Sequence, residues 1–221
     1  MTLLPAAVLW DMDGTLLDSE KLWDVPLFEL AERLGGQLSA ATRAAMVGSN
    51  VPTTLDLLFG DVGVVPDAEE RAEAARWIDK RMAELLAGDP PWQPGARAAL
   101  DLVRATGLPT ALVTSTERAL TEIALDTIGR HYFDVTICGD EVHGRNKPLP
   151  DPYLTAARRL AVDPAHCLAI EDSPTGVTSA TAAGCTVLVV PSEVPVPPGP
   201  RRTFRDSLAN LTLADLEAAF T

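Results

Sequence analysis

The chain has 221 residues, 47% of them apolar and 22% charged, a globular balance that excludes a collagen-like repeat, a coiled coil and a disordered tail. Its 18 basic against 31 acidic residues leave a formal charge of −13, which repels phosphate backbones and anionic headgroups and argues against nucleic acid or a membrane as partner. An anionic ligand on such a protein needs a local cation.

In chain order, the first element is a buried strand predicted at residues 6–10, which stops at Asp11. From residue 16 to about 91 no strand pattern occurs. Trp23, Leu27, Leu30, Ala31 and Leu34 form an apolar helical stripe ended by Gly35-Gly36. Asp67 followed by Glu70 signals a capping box that opens a long helix carrying Ala74, Ile78, Met82 and Leu85, with Gly88 as its stop. This interval reads as an insertion of about four helices placed directly after the first strand, hinged at the residues after Gly14 and at Asp89-Pro90-Pro91. A helix at 95–106 sets Ala96, Leu100 and Val103 on one face, and strands are predicted at 110–114, 135–138, 167–170 and 186–190. Between the third and fourth strands, Asp151 as N-cap and Pro152 at the first helical position open a helix over 152–161. The proline-rich stretch 191–205, with Arg201, Arg202 and Arg205, reads as an irregular, solvated surface segment, and Thr212 caps a short last helix.

Strand–helix alternation of this kind predicts an α/β fold: a Rossmann-like open parallel sheet with right-handed crossovers. The core is assigned to 1–16 and 92–221, and a helical cap to 17–91. Cys138, Cys167 and Cys185 make no CxxC pair, which argues against a disulfide framework and a zinc site and fits a reducing compartment. The apolar run at 3–10 is too short, and lacks the basic flank, for a signal peptide or a membrane span. A cytoplasmic location is expected.

Open parallel sheets bind ligands beyond the carboxyl ends of their strands. Four such ends carry chemistry here: Asp11, Asp13, Gly14 and Thr15 after the first strand; Thr114, Ser115 and Thr116 after the second; Lys147 in the loop after the third; Glu171, Asp172 and Ser173 at the fourth. Carboxylates at i and i+2 emerge on one side of an extended chain, and Gly14 lets the backbone turn close to a ligand. Taken singly, each set has a plain explanation as helix cap, turn or surface lysine. Their occurrence on consecutive sheet ends makes them one site. An EF-hand loop does not fit, because the glycine falls at the fourth position and no glutamate stands at the twelfth. In the insertion, Glu20, Lys21 and Trp23, and Ser49-Asn50 after Gly48, could face a ligand; Trp23 also fits the apolar stripe, and Ser49-Asn50 an ordinary turn.

Residues 8–20 (VLWDMDGTLLDSE) resemble the first motif of the haloacid dehalogenase-like superfamily of aspartate-dependent phosphohydrolases; LVTS at 112–115, KPLPDPY at 147–153 and IEDSPTG at 170–176 resemble its second, third and fourth. The insertion lies where members with a helical cap carry it, so the resemblance spans nearly the whole chain. It implies that Asp11 is the nucleophile of an aspartyl-phosphate mechanism and Asp13 the general acid and base. It implies Mg²⁺ held by Asp11, the Asp13 carbonyl and Asp172, with Glu171 as a weaker ligand, and this oxygen-rich set favours a hard cation. Lys147 supplies further positive charge, while Thr114 and Ser115 at the turn hold the phosphoryl group. A lid over the sheet end suits a small phosphorylated metabolite, a sugar or polyol phosphate preferred, acted on by a monomer. The alternative is a phosphomutase of the β-phosphoglucomutase type, which shares all four motifs. Those enzymes carry a histidine in the first cap helix and an arginine in the cap loop, where this sequence has Trp23 and Ser49-Asn50-Val51. A dehalogenase has no use for Asp13 as general acid, and a phospho-receiver domain lacks the insertion.

Overall fold

The computed structural model describes residues 4–220; residue 3 of the first apolar run, and the outer ends of the 1–16 and 92–221 segments, lie outside them. Strands β1 (Ala7–Trp10), β2 (Thr110–Val113), β3 (Val135–Ile137), β4 (Cys167–Glu171), β5 (Thr186–Val189) and β6 (Arg202–Phe204) form one sheet in the order β3-β2-β1-β4-β5-β6, every pairing parallel. The first five match the apolar runs to within a residue.

β6 does not match, because 191–205 reads as irregular. Three residues on the sheet edge, with Thr203 and Phe204 exposed, show no apolar period; what makes them a strand is pairing with Val187, Leu188 and Val189. The neighbouring arginines tie down main chain: Arg201 donates to the Gly184 carbonyl, Arg202 to Pro197, and Arg205 to Ser207 and Ala209.

Between β1 and β2 lie α1 (Glu20–Arg33), α2 (Ala40–Met46), α3 (Val51–Val62), α4 (Ala68–Leu86) and α5 (Ala96–Thr106). The Asp67–Glu70 capping box at α4 forms as expected. The two connections to the four inserted helices are paired with each other. Leu17 and Trp92 form an antiparallel bridge, Asp18 donates its amide to the Pro91 carbonyl at 2.7 Å, and Gln93 donates to Leu16 at 2.9 Å. After β2 come α6 (Arg118–Ile128), α7 (Asp151–Arg159), α8 (Pro174–Ala182) and α9 (Leu213–Phe220). α7 starts one residue before the sequence expectation: Pro150 precedes it, and Asp151, rather than capping, accepts from Arg145 at 2.6 Å. Thr212 and Asp215 cap α9 reciprocally.

Side chains of the central strands alternate between two apolar layers, as a pleated strand requires. Val8 and Trp10 of β1 join Leu112, Ile170 and Leu188, with α5, α6 and α9, on one face. Ala7 and Leu9 join Ala111, Val113, Val187 and Val189, with α7 and α8, on the other. The first layer continues through Leu16 and Leu17 into Leu27, Leu30, Ile78 and Met82 of the inserted helices. Leu16, Leu17, Ile78 and Met82 are fully buried, at about 1.5–3 kcal/mol each. No helix among the described residues is long and apolar enough to cross a membrane.

β1 lies between β2 and β4, and the strand order reverses there. Its carboxyl end is the switch point at which this architecture opens a crevice, and Asp11 is the first residue past it.

Candidate active site

Asp11 leaves β1 with its amide still bonded to the Ile170 carbonyl at 3.0 Å, which places its carboxylate beside the end of β4. Lys147, brought over by the loop before α7, donates from Nζ to Asp11 Oδ1 and to Glu171 Oε1, both at 2.6 Å. All three side chains are buried. Tyr153 of α7 donates its hydroxyl to the same Glu171 oxygen at 2.6 Å, and its ring centroid lies 5.3 Å from the Lys147 ammonium. Glu171 Oε2 accepts from the Ser173 hydroxyl at 3.3 Å. Glu171 therefore accepts from protein donors on both oxygens.

Asp172 completes the cluster: Asp11, Glu171 and Asp172 each offer an oxygen within 4.8 Å of the others, the one such group among the described residues. Asp172 Oδ1 accepts from the Thr15 hydroxyl at 3.4 Å, whereas Asp172 Oδ2 and Asp11 Oδ2 are buried with no partner. Unpaired buried carboxylate oxygens are costly, and two of them side by side mark a place for a cation. Three buried carboxylates against one ammonium give the same answer. Burial, then the Glu171 charge, pushes Asp11 up to about 8 although Lys147 opposes them; Asp172 rises well above the carboxylate range for the same reasons, with Asp11 as its main charged neighbour. Burial alone would depress Lys147, but Asp11 and Glu171 outweigh it and hold the ammonium firmly charged. Gly14 shapes the cradle: its φ is +85°, and a Cβ there would fall 2.1 Å from Asp172 Oδ2. The donor set is oxygen only and suits a hard divalent ion.

Asp13 sits differently. Its Oδ1 accepts from the Ser19 hydroxyl at 2.7 Å and from Trp23 Nε1 at 3.4 Å; its Oδ2 accepts from Thr116 at 2.8 Å and Thr114 at 3.2 Å. These donors fix the carboxylate at the floor of a cavity of about 40 Å³ between the sheet end and the inserted helices, room for about three waters. Gly48 closes one side. It has φ +72°, its carbonyl accepts from the Ser115 hydroxyl at 3.1 Å, and a Cβ there would meet Ser173 Oγ at 2.5 Å.

Asp11, Asp13, Thr114, Ser115, Lys147, Glu171 and Asp172 thus come together, but the Thr114 and Ser115 hydroxyls, expected to hold the phosphoryl group, donate to Asp13 and to the Gly48 carbonyl instead. Glu20 and Ser49 also line the cavity, the Ser49 hydroxyl paired with Thr54 at 2.8 Å. Asn50 does not; its side chain caps α3 by accepting from the Thr53 amide at 3.0 Å. Lys21 points away and pairs with Asp18 on the surface. Trp23 does both of the things considered for it, packing on the apolar layer and lining the cavity. Sequence reasoning assigned no site role to Ser19 and Tyr153, and gave Thr116 only as part of the turn after the second strand. Ser19 and Tyr153 lie inside the quoted motifs, and a search for donors near the paired carboxylates could have found them. Arg43 also lines the cavity.

Residues 5–184 match the family model of the haloacid dehalogenase-like hydrolases. Hexitol phosphatase B of Escherichia coli K12 is 31% identical over 95% of this chain and 96% of its own length. The structure of CbbY from Rhodobacter sphaeroides in complex with xylulose-(1,5)bisphosphate superposes with a TM-score of 0.84 at 26% identity, covering 96% of this chain and 99% of CbbY. A β-phosphoglucomutase from Clostridium difficile, at 20% identity, shares the fold with a TM-score of 0.83 over 98% of this chain and 97% of the mutase. The chain belongs to the haloacid dehalogenase-like hydrolase family and is, by that kinship, a phosphoric monoester hydrolase.

Proposed function

We propose that this protein is a Mg²⁺-dependent phosphatase that hydrolyses a small phosphorylated metabolite, a sugar or polyol phosphate preferred, through an aspartyl-phosphate on Asp11. The observation that carries the reading is the division of labour between two carboxylates two residues apart. Asp11 is held by a buried ammonium beside two unpartnered carboxylate oxygens, and Asp13 is held by four uncharged donors above a cavity.

Lys147 fixes and charges Asp11, whose oxygen attacks phosphorus while the bond to the leaving alkoxide breaks. Asp13, as the acid, gives its proton to that alkoxide. After the alcohol departs, the Asp13 carboxylate takes a proton from water, which attacks phosphorus, cleaves the Asp11–phosphate bond and frees inorganic phosphate. Ser19, Trp23, Thr114 and Thr116 keep Asp13 pointing at the leaving group through both halves. Asp11, Asp172 and the Asp13 carbonyl would hold Mg²⁺, which would supply positive charge to offset the carboxylates and the phosphate dianion.

A cavity of about 40 Å³ is too small for a sugar phosphate, so segment 17–91 acts as a lid that swings on its paired connections to admit substrate and shuts to exclude water. The same reading makes the protein a cytoplasmic monomer without nucleic-acid or membrane partners, the last supported by its charge of −13. The test is phosphate release from a panel of sugar and polyol monophosphates with Mg²⁺ and with chelator. Metal-dependent release from some members supports the phosphatase; interconversion of hexose phosphates faster than release would replace it with a mutase.

A further inference from the structure

The inserted helices bring one cation to the cavity wall, and it is already matched. Arg43 of α2 donates from Nε to Asp24 Oδ1 at 2.5 Å, and from Nη2 to both Glu20 Oε2 and the Glu20 carbonyl at 2.9 Å. The Arg43 and Glu20 side chains are 12% and 5% exposed, so the pair is locked rather than a passing surface contact; Asp24 is 42% exposed. Among the described residues lining the cavity no other side chain is cationic, and Asp11, Asp13 and Glu20 are acidic. Guanidinium and two carboxylates sum to −1 opposite the Lys147 end of the site.

This bears on what the leaving group is, and it rests on the phosphatase reading. A second phosphate or a carboxylate reaching this wall meets net negative charge, with no cation free to receive it. Uncharged hydroxyls meet acceptors instead: the Glu20 carboxylate and the Ser49 hydroxyl, beside the Trp23 ring. Kinship does not decide the matter, since hexitol phosphatase B and CbbY, whose structure holds xylulose-(1,5)bisphosphate, both match nearly the whole chain. We propose that Glu20 and Asp24 hold Arg43 as a charge-compensated wall that selects monophosphate esters of an uncharged polyhydroxylated carbon chain and rejects bisphosphates and phosphorylated acids. Glu20 and Asp24 act here as positioning residues through Arg43.

The test uses the full chain with Mg²⁺ at pH 8, where Glu20, lifted by burial to about 7 against the pull of Arg43, is ionised. kcat/KM is measured for sorbitol 6-phosphate, for sorbitol 1,6-bisphosphate and for p-nitrophenyl phosphate. The wild type is expected to prefer the monophosphate by at least about tenfold. Asp24→Asn, at a half-exposed position, and the near-isosteric Glu20→Gln should shrink that preference severalfold, chiefly by lowering KM for the bisphosphate. Adding Arg43→Met to the pair should restore it. Thermal melts confirm that each variant is folded, and Asp24→Asn alone suffices if the buried changes do not fold. A wild-type preference below tenfold, or a ratio unmoved in Asp24→Asn and Glu20→Gln, overturns the inference and leaves the phosphatase standing. No metal-dependent release from any of the three esters removes both.

Discussion

Replacing Asp11 by asparagine should do two opposite things: abolish turnover and stabilise the metal-free fold. The amide side chain keeps the shape and the acceptor for Lys147 but carries no charge. The wild-type carboxyl has a folded-state pKa raised from 3.8 to about 8, so the folded protein binds its proton more tightly than the unfolded chain does. Its contribution to stability is therefore full below about pH 4 and is lost as pH climbs toward 8. At 1.36 kcal/mol per tenfold in proton affinity, the loss by pH 8 has a ceiling of roughly 5 kcal/mol, and about 3 kcal/mol is the working figure once Glu171 and Asp172 share the repulsion. At about 2–4 °C per kcal/mol for a chain of this size, metal-free Asp11→Asn should melt roughly 6–12 °C above wild type at pH 8. The gap should close toward pH 4, and saturating Mg²⁺ should shrink it by favouring the wild-type carboxylate. Activity should fall at least about a thousandfold, some 4 kcal/mol in barrier. Calorimetric melts from pH 4 to 8, with and without Mg²⁺, together with kcat, check both halves. A variant that melts at or below wild type at pH 8 without metal, or keeps more than a thousandth of kcat, refutes the electrostatic account of this site.

Lys147→Ala leaves Asp11 and Glu171 buried against each other; it should lower stability at pH 8 by about 3–5 kcal/mol and remove activity, and an unchanged kcat/KM would return Lys147 to a structural role. Asp172→Ala should raise the Mg²⁺ concentration for half-maximal activity by about tenfold or more, read from a metal titration, whereas full wild-type activity in excess chelator would dismiss the metal site. Gly14→Ala drives a Cβ into Asp172 from a backbone at φ +85° and should cut kcat about a hundredfold, measured under saturating Mg²⁺.

What the sequence makes legible follows from how each element is stabilised. β1, β2, β4 and β5 are buried on both faces, so they read as short apolar runs. β6 is held by one neighbour's backbone, and no side-chain period reports that. The paired carboxylates, Lys147 and the Glu171-Asp172 pair are readable because each follows a strand and the switch-point rule brings strand ends together. Tyr153 is less so: its role depends on α7 turning its ring under Lys147, which only tertiary packing fixes. The Arg43–Glu20–Asp24 set joins two helices and has no spacing to betray it. The same limit explains Asn50. After Gly48 the sequence allows a ligand-facing residue or an ordinary turn, and its actual place as the cap of α3 depends on where that helix begins.

The central claim is covalent catalysis at Asp11. Protein quenched in acid during turnover of a good substrate, digested and examined by mass spectrometry, should carry a phosphoryl group on the peptide that contains Asp11. Treatment with borohydride before digestion should convert that residue to homoserine, as reduction of an acyl phosphate requires. Asp11→Asn treated identically should show neither product. A phosphoryl group on another residue, or multiple turnovers with an unmodified Asp11 peptide throughout the steady state, would contradict the account.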